Sequence, residues 1–307
     1  MNTPSRVLIS GASGLIGSAL VRAFAANRIS VVRLMRKPRA DGLNDICWSP
    51  SSSPAIADPA SLEGFDTVIH LSGANVAGHR WTAAYKKEIV ESRVQTTQAL
   101  SQLLAGLKHP PQTFLCASAV GIYGNRGDEI LTEASSPGPG FLAETCALWE
   151  AAAQPAKAAG IRVVHLRFGV VLSSEGGALG KMLPLFRLGL GGRLGSSRQW
   201  MSWMSLPDMV SAVSFIIAAP QLTGPVNMVA PNPVTNAEFT RTLARAFHRP
   251  AVFPAPAFAL RAALGEFADE GLLASARMIP AQLTQAGFDF KHPQLSAALE
   301  SLLAKSI

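Results

Sequence analysis

The opening stretch limits what this chain can fold into more than any other. Arg6-Val7-Leu8-Ile9-Ser10 is a short, largely apolar run that stops at Gly11. Gly14 and Gly17 follow at three-residue intervals, and Leu15, Ile16, Ala19, Leu20 and Ala23 then recur at helical spacing. The pattern predicts a strand, a tight turn and a helix, the opening of a dinucleotide-binding βαβ unit. Gly11 lets the chain turn at the strand end. Gly14 removes a side chain where backbone must approach a pyrophosphate, and Gly17 lets the helix lie close to the strand. The helix start offers unpaired N–H groups and the positive end of its dipole to phosphate. Gly11, Ser13, Gly14, Leu15 and Ile16 are therefore the expected phosphate-side contacts.

Ser30 to Arg36 (SVVRLMR) is the expected second strand. In an NAD-binding unit an Asp or Glu near its end, about 20 residues beyond the glycines, holds the ribose hydroxyls. Arg36 takes that place, 19 residues after Gly17, with Lys37 and Arg39 beside it. An acid there repels a 2′-phosphate, whereas a guanidinium pairs with it in a two-pronged fork. The sequence predicts NADP(H) rather than NAD(H).

At 307 residues, 48% apolar and 15% charged, the chain can bury one large core, or a large and a smaller one. A formal net charge of +7 raises the question of a polyanionic partner. Its Lys and Arg are scattered, with no basic run interleaved with aromatics, and the cofactor already accounts for Arg36-Lys37-Pro38-Arg39. Nucleic acid is not expected as a partner. Cys47, Cys116 and Cys146 are odd in number and far apart, forming neither CxxC nor a Cys/His metal spacing. They are expected to be reduced thiols in a cytoplasmic protein, with no metal. The N-terminus runs directly into a strand, so no signal peptide is expected, and no apolar stretch is long enough to span a membrane.

Further along, a short strand is expected at Asp45 to Trp48 and a buried one at Thr67 to Leu71. The latter ends in the small-residue turn Ser72-Gly73-Ala74-Asn75, at the strand end where this fold places its crevice. His70, inside the strand, is expected in the core. A helix is predicted from Tyr85 to Leu104, on which Arg93 and Thr97 either face the cofactor or belong to a solvated face. A strand at Thr113 to Cys116 runs into Ala117, Ser118 and the turn Val120-Gly121-Ile122-Tyr123-Gly124. A helix from Phe141 to Ala159 and a buried strand from Arg162 to Phe168 follow, broken by Gly169. Beyond it, Ser173 to Gly195 is glycine-rich around a helical core at Lys181 to Leu188. Gln199 to Ser205 is expected as a lid or pocket wall, with core packing as the other reading. Asp208 opens a helix, Pro225 to Met228 is a strand, and Asn236 is the expected cap of a helix at Ala237 to Phe247.

These motifs together resemble the extended short-chain dehydrogenase/reductases, a superfamily that includes nucleotide-sugar epimerases and dehydratases. The resemblance rests on the glycine loop, Leu71-Ser72-Gly73-Ala74, Ser118 with Val120 to Gly124, and Leu166-Arg167-Phe168-Gly169. More narrowly the chain is similar to an atypical branch called the epimerase family proteins. Phe141-Leu142-Ala143-Glu144 with Cys146 and Trp149-Glu150, then Gln199-Trp200-Met201-Ser202-Trp203, carry that similarity. Phe253-Pro254-Ala255-Pro256-Ala257-Phe258 and Leu264-Gly265-Glu266 match the branch's C-terminal domain of unknown function.

The resemblance implies an α/β fold: a doubly wound parallel Rossmann sheet with a smaller, mostly helical C-terminal substrate region. It places a cofactor domain at residues 1–230, of which 170–230 helps build the substrate cleft, and a family-specific domain at residues 250–300. It implies bound NADP(H), with Leu71, Ser72, Gly73, Ala74, Arg93, Ala117, Ser118, Arg167, Phe168 and Gly169 among the contacts, a small carbonyl, alcohol or sugar-like substrate, and a homodimer.

The family's usual catalytic set is a Ser or Thr followed by Tyr-x-x-x-Lys, in which Tyr exchanges a proton with the substrate oxygen. Here Leu142 falls at the Tyr place and Cys146 at the Lys place, and neither does the missing residue's work. Ser118 and Tyr123 are the leading substitutes. Glu144, if burial raises its pKa, and Cys146 follow. Ser205-Leu206-Pro207-Asp208 also lacks the His that many extended relatives carry before the Asp. The competing expectation is a non-catalytic NADP(H)-binding sensor or regulator.

Overall fold

The computed structural model describes residues 4–37, 44–50, 52 and 55–304. Seven strands form one sheet: β1 (Arg6–Ser10), β2 (Ser30–Met35), β3 (Asn44–Cys47), β4 (Thr67–His70), β5 (Thr113–Ala119), β6 (Arg162–Phe168) and β7 (Gly224–Met228). The spatial order is β3-β2-β1-β4-β5-β6-β7, and every pairing is parallel. This is the Rossmann order, with its switch point between β1 and β4, where connections leave in opposite directions and open a crevice at the carboxyl ends.

Strand alternation builds a core on each face. Val7 and Ile9 of β1 pack with α1 (Leu15–Ala26) and the Leu206–Ala218 helix through Leu20, Phe24, Met209 and Val213. Leu8 faces the other way, toward α2 (Ala83–Ala105) and the Gln154–Ala158 helix through Leu100, Leu104 and Ala156. A third core joins the helices Gly177–Arg187, Asn236–Ala246 and Leu295–Leu303 through Leu183, Phe186, Phe239, Leu243 and Leu299. Among the described residues no helix is long and apolar enough to cross a membrane.

Several elements differ from the sequence expectation. The helix expected over Phe141 to Ala159 is two: α3 (Phe141–Ala151) and Gln154–Ala158. Pro155 has no N–H to give the Ala151 carbonyl, so the first helix ends there. The helix after residue 234 is capped by Thr235, whose hydroxyl accepts from the Glu238 N–H at 3.2 Å, and not by Asn236. The Asn236 carboxamide oxygen instead accepts from the Leu194 N–H at 2.8 Å. In the Gln199 to Ser205 stretch, Trp203 and Met204 are fully buried and belong to the core. Trp200 is half-buried, and its indole N–H donates to Asp128 at 2.8 Å.

The C-terminal segment is clasped to the sheet body. Arg277–Met278 pairs in parallel with Ile130–Leu131. The buried Asp208 carboxylate accepts from the Lys291 and His292 N–H groups at 2.9 Å each. Ser205 and Asp208 form a reciprocal cap on their helix, Asp208 N–H to Ser205 Oγ at 3.2 Å and Ser205 Oγ to Asp208 Oδ2 at 3.1 Å. A histidine does reach this spot, from far along the chain: His292 Nδ1 lies 3.0 Å from Ser205 Oγ, buried.

Candidate functional site

The glycine turn is built on close backbone contact at the switch point. Gly11 has φ +70°, and a Cβ there would lie 2.7 Å from the carbonyl carbon of Leu71. A Cβ on Gly17 would lie 2.3 Å from the Gly11 carbonyl oxygen. These two glycines lock β1, α1 and the loop after β4 together. Gly14 is different: its nearest neighbour would be the Gly11 oxygen at 3.4 Å, so that face is open. Gly14 caps α1 without a side-chain bond, and the first turn holds no acid. An anion therefore finds an accessible helix N-terminus with nothing to repel it. Leu15, at the head of α1, is overlaid by Gly177, where a Cβ would meet Leu15 Cδ2 at 3.0 Å. Arg22 pairs with Glu175 at 3.0 Å across the same join.

Arg36 is exposed just past the end of β2, one strand over from the glycine turn. Arg39 lies outside the described residues. On the other side of the turn, Leu71 N–H donates to the Ser10 carbonyl at 3.1 Å, and Ser72 Oγ to Ser10 Oγ at 3.2 Å. Beneath them Ser10 Oγ lies 2.5 Å from Nδ1 of His70, which is fully buried; burial pushes its pKa down to about 3. His70 is a structural, neutral histidine. The Ala74 N–H donates to Ser92 Oγ at 3.0 Å, and Arg93 donates to the Ala74 carbonyl at 2.9 Å while lying 5.0 Å over the Trp149 ring. A Cβ on Gly73 would meet the Arg93 guanidinium carbon at 3.3 Å. Arg93 supports the Gly73-Ala74 turn from below. Thr97 is buried, accepting from the Trp149 indole at 2.9 Å, and so does not face the crevice.

At the ends of β5 and β6 two of the catalytic candidates, Ser118 and Tyr123, join a buried polar network. Ser118 Oγ donates to Glu150 Oε1 at 2.7 Å. Glu150, on α3, holds Arg167 through two parallel bonds of 2.8 and 3.0 Å. Arg167 donates to the Tyr123 hydroxyl at 2.8 Å and to the Glu133 carbonyl at 3.4 Å. Tyr123 donates onward to Asn227 Oδ1 at 2.7 Å. Asn227 gives its N–H to Glu133 Oε1 at 3.0 Å. Burial pushes the Glu150 carboxyl up, but the Arg167 guanidinium outweighs it and holds Glu150 below the usual range. The same pairing raises Arg167 against its burial.

The network separates the catalytic candidates. Ser118 and Ala117 are buried at the carboxyl end of β5, Ser118 on its carboxylate partner. Tyr123 is fully enclosed, with burial raising its phenol pKa; its hydroxyl serves Arg167 and Asn227 rather than an open pocket. Glu144 is exposed on the outside of α3. Cys146 is buried, and burial pushes its thiol up to about 12, which leaves it protonated near neutrality. Leu142 and Cys146 both pack on the turn after β5: a Cβ on Gly121 would meet Leu142 Cβ at 3.0 Å and Cys146 Sγ at 3.8 Å. Arg167 is spent inside the network. Phe168 packs on the core, and at Gly169 a Cβ would lie 2.5 Å from the Ser202 carbonyl oxygen, so backbone closeness explains that glycine.

Sequence reading missed Glu150 as the partner of Ser118 and Arg167, and missed Asn227 and Glu133 altogether. One signal was present: an arginine inside the buried strand RVVHLRF needs an acid inside the protein. The C-terminal segment contributes a further unforeseen residue. Glu270 receives the N–H groups of Phe141 and Leu142 at 3.1 and 2.8 Å, capping α3 from 128 or more residues away.

The switch-point turn and the open helix N-terminus define a Rossmann dinucleotide-binding protein. Within that class, the chain belongs to the epimerase family proteins. The NAD dependent epimerase/dehydratase family matches residues 7–229, and a domain of unknown function, DUF1731, matches residues 255–302. An epimerase family protein of Mycobacterium bovis is 49% identical over 95% of this chain and 96% of its own. The crystal structure of a human epimerase family protein with NADPH superposes at a TM-score of 0.90, with 33% identity, covering 98% of this chain and all of that one. A nucleoside-diphosphate sugar epimerase from Corynebacterium glutamicum superposes at 0.80 with 36% identity, covering 98% of this chain and 59% of that one.

Proposed function

We propose that the chain is an NADP(H)-dependent oxidoreductase or epimerase-like enzyme acting on a small carbonyl, alcohol or sugar-like substrate. The cofactor reading draws on the open face at Gly14, the acid-free start of α1 and Arg36 past β2, and on the human relative crystallised with NADPH. Gly11 to Ile16 would hold the pyrophosphate, Arg36 the 2′-phosphate, and Leu71 to Ala74 the adenosine side. When bound, NADP(H) supplies or takes up the hydride that changes the substrate's oxidation state. The sugar-like substrate class draws on the name of the Corynebacterium relative.

The observation that carries the enzymatic reading is the 2.7 Å bond from Ser118 to Glu150 at the carboxyl end of β5. A hydroxyl that donates to a carboxylate keeps its lone pairs for a substrate hydroxyl. As the substrate oxygen gives its proton to Ser118 Oγ, the proton already on Ser118 passes to Glu150. Carbonyl reduction runs the same relay backwards. Arg167 orients Glu150 and, by lowering its pKa, makes it a weak base, so turnover is expected to be slow.

One observation favours the second reading, a non-catalytic NADP(H) sensor: Leu142 and Cys146 fill the usual Tyr and Lys places, and Ser118, Tyr123 and Cys146 are all enclosed. Two measurements decide. Calorimetric titration with NADPH and NADH is expected to show an NADPH preference that falls about tenfold or more in Arg36→Ala. NADPH oxidation against a carbonyl panel is then expected to drop about 100-fold in Ser118→Ala and in Glu150→Gln. Tight NADPH binding without turnover on any carbonyl replaces the enzyme by the sensor. Failure to bind either nucleotide removes both.

A further inference from the structure

A second charged concavity lies beside the Asn236–Ala246 helix, built from residues the nucleotide cradle does not use. It has a volume of about 610 Å³ and is lined by Arg193, Arg241, Arg245, His248 and Arg249, with Thr240, Ala244 and Ala251. That size lies within the range of small-molecule sites. No carboxylate lines it, and among the described residues none of its four arginines is held in an ion pair. Arg241 and Arg245 are one helical turn apart on the same face, and Arg249 lies just past the helix end, after the left-handed turn at His248. Like charges gathered in one hollow repel, and a bound anion relieves that repulsion. Thr240 adds an independent sign. It lines the hollow, is buried, and its hydroxyl has no hydrogen-bond partner among the described residues. Buried hydroxyls are nearly always bonded, so this one points to a group that completes it.

We propose that this hollow binds a small oligophosphate, inorganic or carried on a nucleoside. Guanidinium groups present planar pairs of donors that match phosphoryl oxygens, and four of them suit a chain of phosphates better than a single carboxylate. The Thr240 hydroxyl donates to one phosphoryl oxygen at the floor. A single-stranded nucleic acid is a poorer fit, because no Phe, Tyr or Trp lines the hollow and His248 is its single ring for bases to stack on. The site is independent of the cofactor and of any turnover.

The test is calorimetric titration of the full chain with tripolyphosphate, with ATP and with sulfate, in saturating NADPH so that the start of α1 is occupied. One site is expected, at least tenfold tighter for tripolyphosphate than for sulfate. Arg241→Gln/Arg245→Gln is expected to weaken it at least tenfold, with unchanged NADPH affinity and thermal midpoint, while the surface control Arg28→Gln leaves it intact. Tighter binding of ATP than tripolyphosphate assigns the site to a nucleotide, and equal binding to the phosphate chain alone. Loss of equal size in Arg28→Gln, or no loss in the double variant, shows diffuse surface attraction and overturns the proposal.

Discussion

Arg167 lies in β6 between Leu166 and Phe168, with about 7% of its side-chain surface exposed, so its charge has to be answered inside the protein. Glu150 answers it in a two-bond fork, and Tyr123 and Ser118 fill the remaining geometry. Removing one partner of such a pair leaves an uncompensated buried charge, which costs about 3–5 kcal/mol. Glu150→Ala is expected to lose that much in urea unfolding, and Glu150→Leu combined with Arg167→Met to recover most of it. A loss under about 1 kcal/mol in Glu150→Ala would show that water already solvates Arg167. This is also where the sequence was least legible. Arg167 stood out as a charged residue in a buried run, but its partner is 17 residues away on a different element, and only the fold brings them together. Tyr123 shows the same limit: its position after Ser118 was plain, but its enclosure depends on Asn227 and on the Thr132 carbonyl.

The strand, turn and helix at the N-terminus were legible because their constraints are local. Gly11 needs a positive φ, Gly17 needs to touch backbone, and both requirements lie within seven residues. The roles of Gly17 and Gly14 can be separated by experiment. Gly17→Ala places a methyl 2.3 Å from the Gly11 oxygen and is expected to destabilise the join of α1 to β1, lowering the thermal midpoint by several degrees. Gly14→Ala meets nothing closer than 3.4 Å and is expected to fold normally while weakening NADPH binding about tenfold or more. Equal thermal loss in the two variants would contradict this division. Other element ends were less legible for a physical reason. The α3 cap comes from Glu270, and the Thr235 and Asn236 side chains compete for the same helix start. Local pattern can place a helix, but it cannot choose between caps that depend on distant backbone.

For the whole molecule, packing both faces of the sheet has enclosed His70 and partly buried His165, and this ties stability to pH. His70 titrates near 3 when folded, because burial disfavours its charged form, and at an ordinary 6.5 when unfolded. Burial lowers His165 in the same sense, and its Nδ1 has no hydrogen-bond partner among the described residues. Below pH 6.5 the unfolded chain takes up protons that the folded chain refuses, so stability falls as pH falls; above it, these groups contribute no slope. Each full proton is worth about 1.4 kcal/mol per pH unit. His70 alone therefore accounts for a loss of about 2 kcal/mol between pH 6.5 and 5.0. Glu150 and Asp66 act later, because their folded pKa values are depressed and their contribution disappears only as pH drops through the carboxylate range. Denaturant unfolding at pH 7.5, 6.5, 5.5 and 5.0 is expected to give a flat plateau and then a decline. His70→Asn is expected to start from a lower plateau, since it loses the contacts with Ser10 and Thr96, yet to decline less steeply by about one proton. If the variant and the parent decline in parallel, His70 is protonated in the folded protein well above pH 5, and the core around β1 and β4 admits water.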